Sequence, residues 1–144
     1  MTDIPNLQDA SVTVALDEGG RVAVLSSRDS GHGKMFLPGG RRDPGEKPEQ
    51  CARRELREEA GVTAAKWRHL GTYAITLGSA ARISLYLAEE LTLGVQELND
   101  TEADFKLTWW PLADAVTAAA EGHFLLPAGP LALLLTERLL KGDG

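Results

Sequence analysis

The chain has 144 residues, 43% of them apolar, enough for one domain over residues 1–144 with a buried core. Twenty-one acidic residues against 15 basic ones leave a net charge of −6, which argues against a nucleic-acid groove built on bulk charge. The single cysteine, Cys51, excludes an intramolecular disulfide and fits a reducing compartment.

Met1 to Ala10 carries Asp3 and Asp9 and has no apolar centre, so it does not read as a signal peptide. Ser11 to Leu16 alternates and is β-branched, and Arg21 to Ser27 is similar. Asp17-Glu18-Gly19-Gly20 between them reads as a hairpin turn. Asp29 to Gly33 is a polar loop, and Met35-Phe36-Leu37 is a short strand running into the Gly-rich turn Pro38-Gly39-Gly40. Pro48 suits the first turn of a helix and Gly61 its left-handed stop. Trp67 to Thr76 and Ala81 to Ala88 read as a strand pair around Leu77-Gly78-Ser79, and Phe105 to Trp110 as a further strand. Leu112 to Glu121 and Pro127 to Lys141 read as helices. Leu131, Leu134, Leu135 and Leu139 in the last one are expected to face the core. The apolar run Phe124 to Leu135 is broken by Pro127, Gly129 and Pro130 and is too short to span a bilayer. A cytoplasmic protein with no membrane partner is expected.

The helix after Pro48 carries the chemistry. Successive residues rotate by about 100°, so with Glu55 at zero, Glu58 lies near about −60° and Glu59 near about +40°. Three acids therefore share one face, beside an apolar strip of Ala52, Leu56 and Ala60 and a basic one of Arg53, Arg54 and Arg57. Like charges at these spacings destabilise a helix, and Glu58 and Glu59 also lie at its unfavourable C-terminal end. A cation would offset that repulsion. Oxygen ligands without nearby His or Cys favour Mg²⁺ or Mn²⁺ over Zn²⁺. A solvated acidic face is the alternative. Glycines at 39 and 40 allow the backbone to come close to such a centre, although a plain turn would also use them.

Gly40, Glu46, Arg54-Glu55-Leu56, Glu58-Glu59, Gly61 and Val62 stand at the spacing of the Nudix box, so the chain resembles a Nudix hydrolase from about Ser11 to Leu140. The resemblance implies an α/β (α+β) fold, with a mixed β-sheet sandwiched between α-helices. It also implies metal-dependent attack of water on a nucleoside diphosphate linked to another group. Glu55 and Glu59 would be the principal metal ligands and Glu58 a further one, direct or through water. A backbone carbonyl from Gly39 or Gly40 would complete the set. Arg54 and Glu46 match family positions that pair and hold the loop on the helix.

Ala81 to Glu89, and Asn99 to Phe105 leading into Trp109-Trp110-Pro111-Leu112, resemble the ADP-ribose pyrophosphatases of this family. In those enzymes a loop carboxylate activates water or joins the metals, which makes Glu102 the candidate, with Asp104 behind it. Two departures stand out: no proline follows the box around Leu77-Gly78, and only a short segment precedes the first strand. A homodimer is therefore left open. So is a nucleoside triphosphate pyrophosphatase, including one that clears oxidised nucleotides. A nucleotide-binding sensor without turnover is the alternative of another class. Arg28, Arg41, Arg42 and Arg82 could grip phosphates, because guanidinium forks match their oxygens. Phe36, Tyr73, Trp109 or Trp110 could stack on a base, or simply fill the core. No role is assigned to His32, His69 or His123.

Overall fold

A computed structural model describes residues 7–28 and 34–143; the loop expected at Asp29–Gly33, with His32, lies outside the described residues. In chain order the strands are β1 (Ala10–Ala15), β2 (Arg21–Ser26), β3 (Met35–Phe36), β4 (Gly39–Arg41), β5 (Val62–Ala74), β6 (Arg82–Leu93) and β7 (Lys106–Pro111). Helix α1 (Pro48–Ala60) precedes β5, and α2 (Leu112–Ala120) and α3 (Ala128–Asp143) close the chain. A mixed four-stranded sheet runs β4-β1-β6-β5, with β1 and β6 parallel, and a three-stranded antiparallel sheet runs β3-β2-β7.

The expected mixed sheet and helices are present, with three differences of detail. The Asp17–Gly20 turn exists, but the strands it joins enter different sheets and meet only at the Leu16–Val22 bridge. Gly39–Arg41, read as part of a turn, is a strand because the edge of β1 takes it up, pairing Ser11 with Gly40 and Val12 with Gly39. The central hairpin is also longer than expected, pairing Val62 with Leu93 at its far end.

Strand β1 is the hinge of the packing, because its alternate residues serve opposite sides. Val14, with Val12 beside it, joins the core that includes Leu85, Leu87, Ala132 and Leu133. Ala15 joins the smaller cluster with Leu56, Ala60 and Val62, and Ser11 Oγ donates to Pro48 O at 2.9 Å. Helix α1 is thereby fixed against β1 along its apolar strip. In α3 the deepest residues are Ala132, Leu133 and Thr136, so Leu131 and Leu134 stand at the rim, 36% and 49% exposed, while Leu135 and Leu139 do pack inward. The buried stripe is thus rotated from the one the leucines suggest.

Helix α1 ends as expected at Gly61, whose φ of 69° is left-handed and whose N–H donates to Arg57 O. The segment after β6 wraps this end: Glu97 N–H donates to Glu58 O and the Gln96 side chain to Glu59 O, both at 2.7 Å. Those bonds satisfy carbonyls that a helix terminus leaves open.

Exposed Glu90 in β6 has a φ of 57°, a conformation that costs a residue with a Cβ about 1–2 kcal/mol. Glu90→Gly should therefore stabilise the protein by about 1 kcal/mol despite the entropy that glycine adds to the unfolded chain. Thermal or urea unfolding checks this, and a loss of stability would refute it.

Candidate active site

Three carboxylates converge. Oxygens of Glu55, Glu59 and Glu102 lie within 4.8 Å of one another. Glu55 and Glu59 are 8% and 4% exposed, which is rare for glutamates and raises both pKa values. Burial pushes Glu55 up to about 7, against the pull of Arg54. Burial likewise pushes Glu59 up to about 9, partly countered by the Gly39 amide, with Glu55 and Glu102 adding to the rise.

Each acid is positioned by a different device. Glu59 Oε1 accepts from the Gly39 N–H at 2.8 Å, tying the start of β4 to the helix. Glu55 lies against Gly40 so closely that a Cβ there would sit 2.7 Å from its carboxyl carbon. Any larger residue at 40 would push the Glu55 carboxylate from this position. Glu102 ends a short 3-10 turn (Asp100–Glu102) in which Asn99 Oδ1 accepts from the Thr101 and Glu102 amides at 3.0 Å. Asp104 anchors the same segment, accepting from Ser27 Oγ and the Arg28 amide at 2.7 Å each.

Arg54 sits at the centre of a clamp. Its Nε and Nη2 donate to Glu46 at 2.7 and 3.1 Å, Nη1 donates to Glu55 at 2.9 Å and Glu58 at 3.2 Å, and Nη2 also reaches Arg41 O at 3.0 Å. The Glu46–Arg54 pair therefore holds the loop on the helix. Hydrogen bonding to Arg54 keeps the Glu46 carboxyl below its usual range and raises Arg54 further still. Glu58, one turn beyond, is taken up by this guanidinium, so the converging trio contains Glu102 in its place. An i,i+4 Arg–Glu pair is a sequence signal for that outcome.

The remaining candidates are spread around this centre. Arg41 and Arg42 leave β4 beside it, both exposed. The Arg42 N–H is in the β1 ladder, on Asp9 O. Arg82 donates from its backbone to Asp9 and from its guanidinium to the Ala80 and Ala81 carbonyls. Phe36 does not meet the acids; it lines an apolar cavity and stacks edge-on against Phe105, with centroids 5.0 Å apart. Trp109 and Trp110 pack against the cores. Cys51 is buried on the inner side of α1, where burial pushes its thiol up to about 11. The capping pattern Asn99-x-x-Glu102 is the signal that could have located the 3-10 turn from sequence.

The donor set fits a hard divalent cation: carboxylate oxygens only, two of them desolvated and mutually repelling, beside a strand of glycine. The carbonyl candidates can be separated too. Antiparallel pairs alternate between bonded and non-bonded, and Thr13 N–H to Pro38 O and Arg42 N–H to Asp9 O flank Ser11–Gly40 at the bonded spacing. Gly40 O therefore belongs to the ladder, while Gly39 turns its polar groups away from β1, as its bond to Glu59 requires.

Residues 6–127 match the family model described as NUDIX domain. The chain belongs to the NUDIX family. Among curated NUDIX relatives, an ADP-ribose pyrophosphatase of Mycobacterium tuberculosis is 33% identical over 121 residues, covering 81% of this chain and 58% of that protein. One of Bacillus subtilis is 34% identical over 116 residues, covering 71% of this chain and 62% of the relative. This NUDIX chain thus spans less than two thirds of the length of either. A solved structure described as an ADP compounds hydrolase superposes with a TM-score of 0.81 at 24% identity, over 97% of this chain and 76% of the other. A MutT structure from work on Aliivibrio salmonicida and Vibrio cholerae gives 0.68 at 16% identity, over 90% and 97%. Both establish the NUDIX fold.

Because the Arg54 clamp orients the acids of this NUDIX site, Arg54→Lys, which cannot reproduce the fork, should weaken divalent-cation affinity about 10- to 100-fold. Isothermal calorimetry with Mn²⁺ measures this, and unchanged affinity would remove the clamp from the account. Among the described residues no helix is long and apolar enough to cross a membrane.

Proposed function

We propose that this chain hydrolyses the diphosphate linkage of a nucleoside diphosphate joined to a second group, ADP-ribose or a related nucleotide sugar, with Mg²⁺ or Mn²⁺ as cofactor. The convergence of Glu55, Glu59 and Glu102 within 4.8 Å carries the reading. The curated relatives, both ADP-ribose pyrophosphatases, support the choice of substrate.

In this proposal Glu55 and Glu59 would hold the cation, with Gly39 O beside them and Glu58 as a further ligand, direct or through water. When bound, it neutralises phosphate charge and sharpens water as a nucleophile. The residues of the chain supply positioning, which is most of what phosphoryl chemistry needs. Arg54 fixes Glu55, and the Gly39 amide fixes Glu59. Glu102 takes the proton from the attacking water. A new P–O bond forms as the bridging P–O bond breaks, so ADP-ribose yields AMP and ribose 5-phosphate. Arg41 and Arg42, next to the glycine strand, grip the phosphates; Arg82, held by its own hairpin, does so from the sheet end. A cytoplasmic location belongs to the same proposal, supported by the single buried thiol.

Product analysis by ³¹P NMR tests it. AMP and ribose 5-phosphate from ADP-ribose are expected. Pyrophosphate released from a dNTP, with ADP-ribose untouched, would move the assignment to a triphosphate pyrophosphatase. Nucleotide binding without turnover of any substrate would favour a sensor.

A further inference from the structure

Residues 94–99 lead from β6 to the turn that carries Glu102, and they lie across the C-terminal end of α1 as a strap. Three bonds hold the strap there. Gly94 N–H donates to Gly61 O at 2.6 Å, the Gln96 side-chain amide to Glu59 O at 2.7 Å, and Glu97 N–H to Glu58 O at 2.7 Å. The approach is close, since a Cβ on Gly61 would meet the Val95 carbonyl carbon at 2.6 Å. The strap thus rests on the backbone of Glu58 and Glu59 themselves.

The Glu102 turn is suspended between this strap and a second anchor. Its amides are satisfied internally, Thr101 and Glu102 N–H on Asn99 Oδ1 and Phe105 N–H on Glu102 O. Those bonds stiffen the turn but do not place it. Downstream, placement comes from Asp104 on Ser27 and the Arg28 amide; upstream, it comes from the strap. Two of the three strap bonds use backbone N–H groups, which every residue but proline supplies. The Arg57–Glu97 ion pair is half-exposed on both sides and contributes little. Gln96 is the tie that depends on the side chain. A carboxamide brings an N–H to the Glu59 carbonyl, whereas a carboxylate of equal length would bring only acceptors and a negative charge to the negative end of the helix.

We infer that Gln96 is a positioning residue: its bond to Glu59 O holds the strap on α1 and so sets Glu102 against Glu55 and Glu59. This rests on the hydrolase reading above and adds to it the residue that seats the proton acceptor.

Gln96→Met keeps the length of the side chain and removes the donor. It should lower kcat for ADP-ribose about 10- to 100-fold with KM little changed. Gln96→Lys, which restores a donor and a charge that the helix end favours, should recover most of that loss. In a Glu102→Gln background Gln96→Met should cost little more, because both substitutions act through one group. An equal loss in the two backgrounds, or no loss in either, would overturn the inference and leave the hydrolase reading intact. Hydrogen–deuterium exchange of the metal-free protein supplies a readout independent of turnover. The Thr101, Glu102 and Phe105 amides should exchange at least about tenfold faster in Gln96→Met, and slow again in Gln96→Lys, while α1 stays protected. Unaltered exchange in the turn refutes the inference. If ADP-ribose is not cleaved even by the unaltered protein, the hydrolase reading fails by itself and the exchange result alone decides whether Gln96 seats the turn. Should Gln96→Met fail to fold, Gln96→Ala takes its place with the same expectations.

Discussion

Replacing Glu59 with glutamine is expected to lower kcat by about 10²- to 10³-fold, in the range seen when one preorganised electrostatic partner is removed. The fold should survive, because an amide oxygen can still accept the Gly39 N–H and occupies the same volume. What disappears is the negative charge that a cation needs. Glu55→Gln should behave similarly, with the added loss of the ionic part of its bond to Arg54. Steady-state kinetics together with circular dichroism would check both halves of the expectation. Full turnover in a folded Glu59→Gln protein would remove this residue from the chemistry.

Without divalent cation, the melting temperature should fall as the solution is taken from about pH 5 to about pH 9. Glu55 and Glu59 titrate near 4.5 when unfolded, but near about 7 and about 9 in the fold. The folded chain then binds more protons than the unfolded one. The stability these groups contribute is complete below the unfolded value and is lost as the pH rises through the folded values. For Glu55 alone the loss is on the order of 3 kcal/mol. Glu46, shifted the other way, acts only at the acid end and leaves this window clear. A cation competes with those protons, so Mg²⁺ or Mn²⁺ should raise the melting temperature more at high pH than at low. Glu59→Gln should flatten the alkaline limb of the metal-free profile. Thermal melts in chelator and in saturating cation measure the slopes, and a metal-free curve that rises with pH would contradict the electrostatics.

Sequence and structure agree best where the signal is local. The limits of α1 follow from Pro48 and Gly61, and the shared face of Glu55 and Glu59 from helical rotation. Partner choice is not local, and there the reading stopped short. Gly39-Gly40-Arg41 has little strand propensity of its own; it is a strand because β1 offers it an edge. The turn after β1 was visible, but nothing in Asp17–Gly20 says that β2 belongs to a second sheet. Family resemblance pointed to Glu102, whereas no periodicity could have placed it beside α1. Angular position favoured Glu58 as well, yet its spacing from Arg54 draws it into the clamp. Phe36, read as a stacking candidate, instead lines an apolar cavity and packs edge-on against Phe105.

Glu102 stands far from α1 along the chain, on a segment held by Asn99 and Asp104. Helix α1 alone can bring two acids together, but the third arrives only once β2 and the segment before β7 have met. Capture of an ion should consequently lag the helical signal during refolding. The cluster would then serve as an internal timer for completion of the native topology.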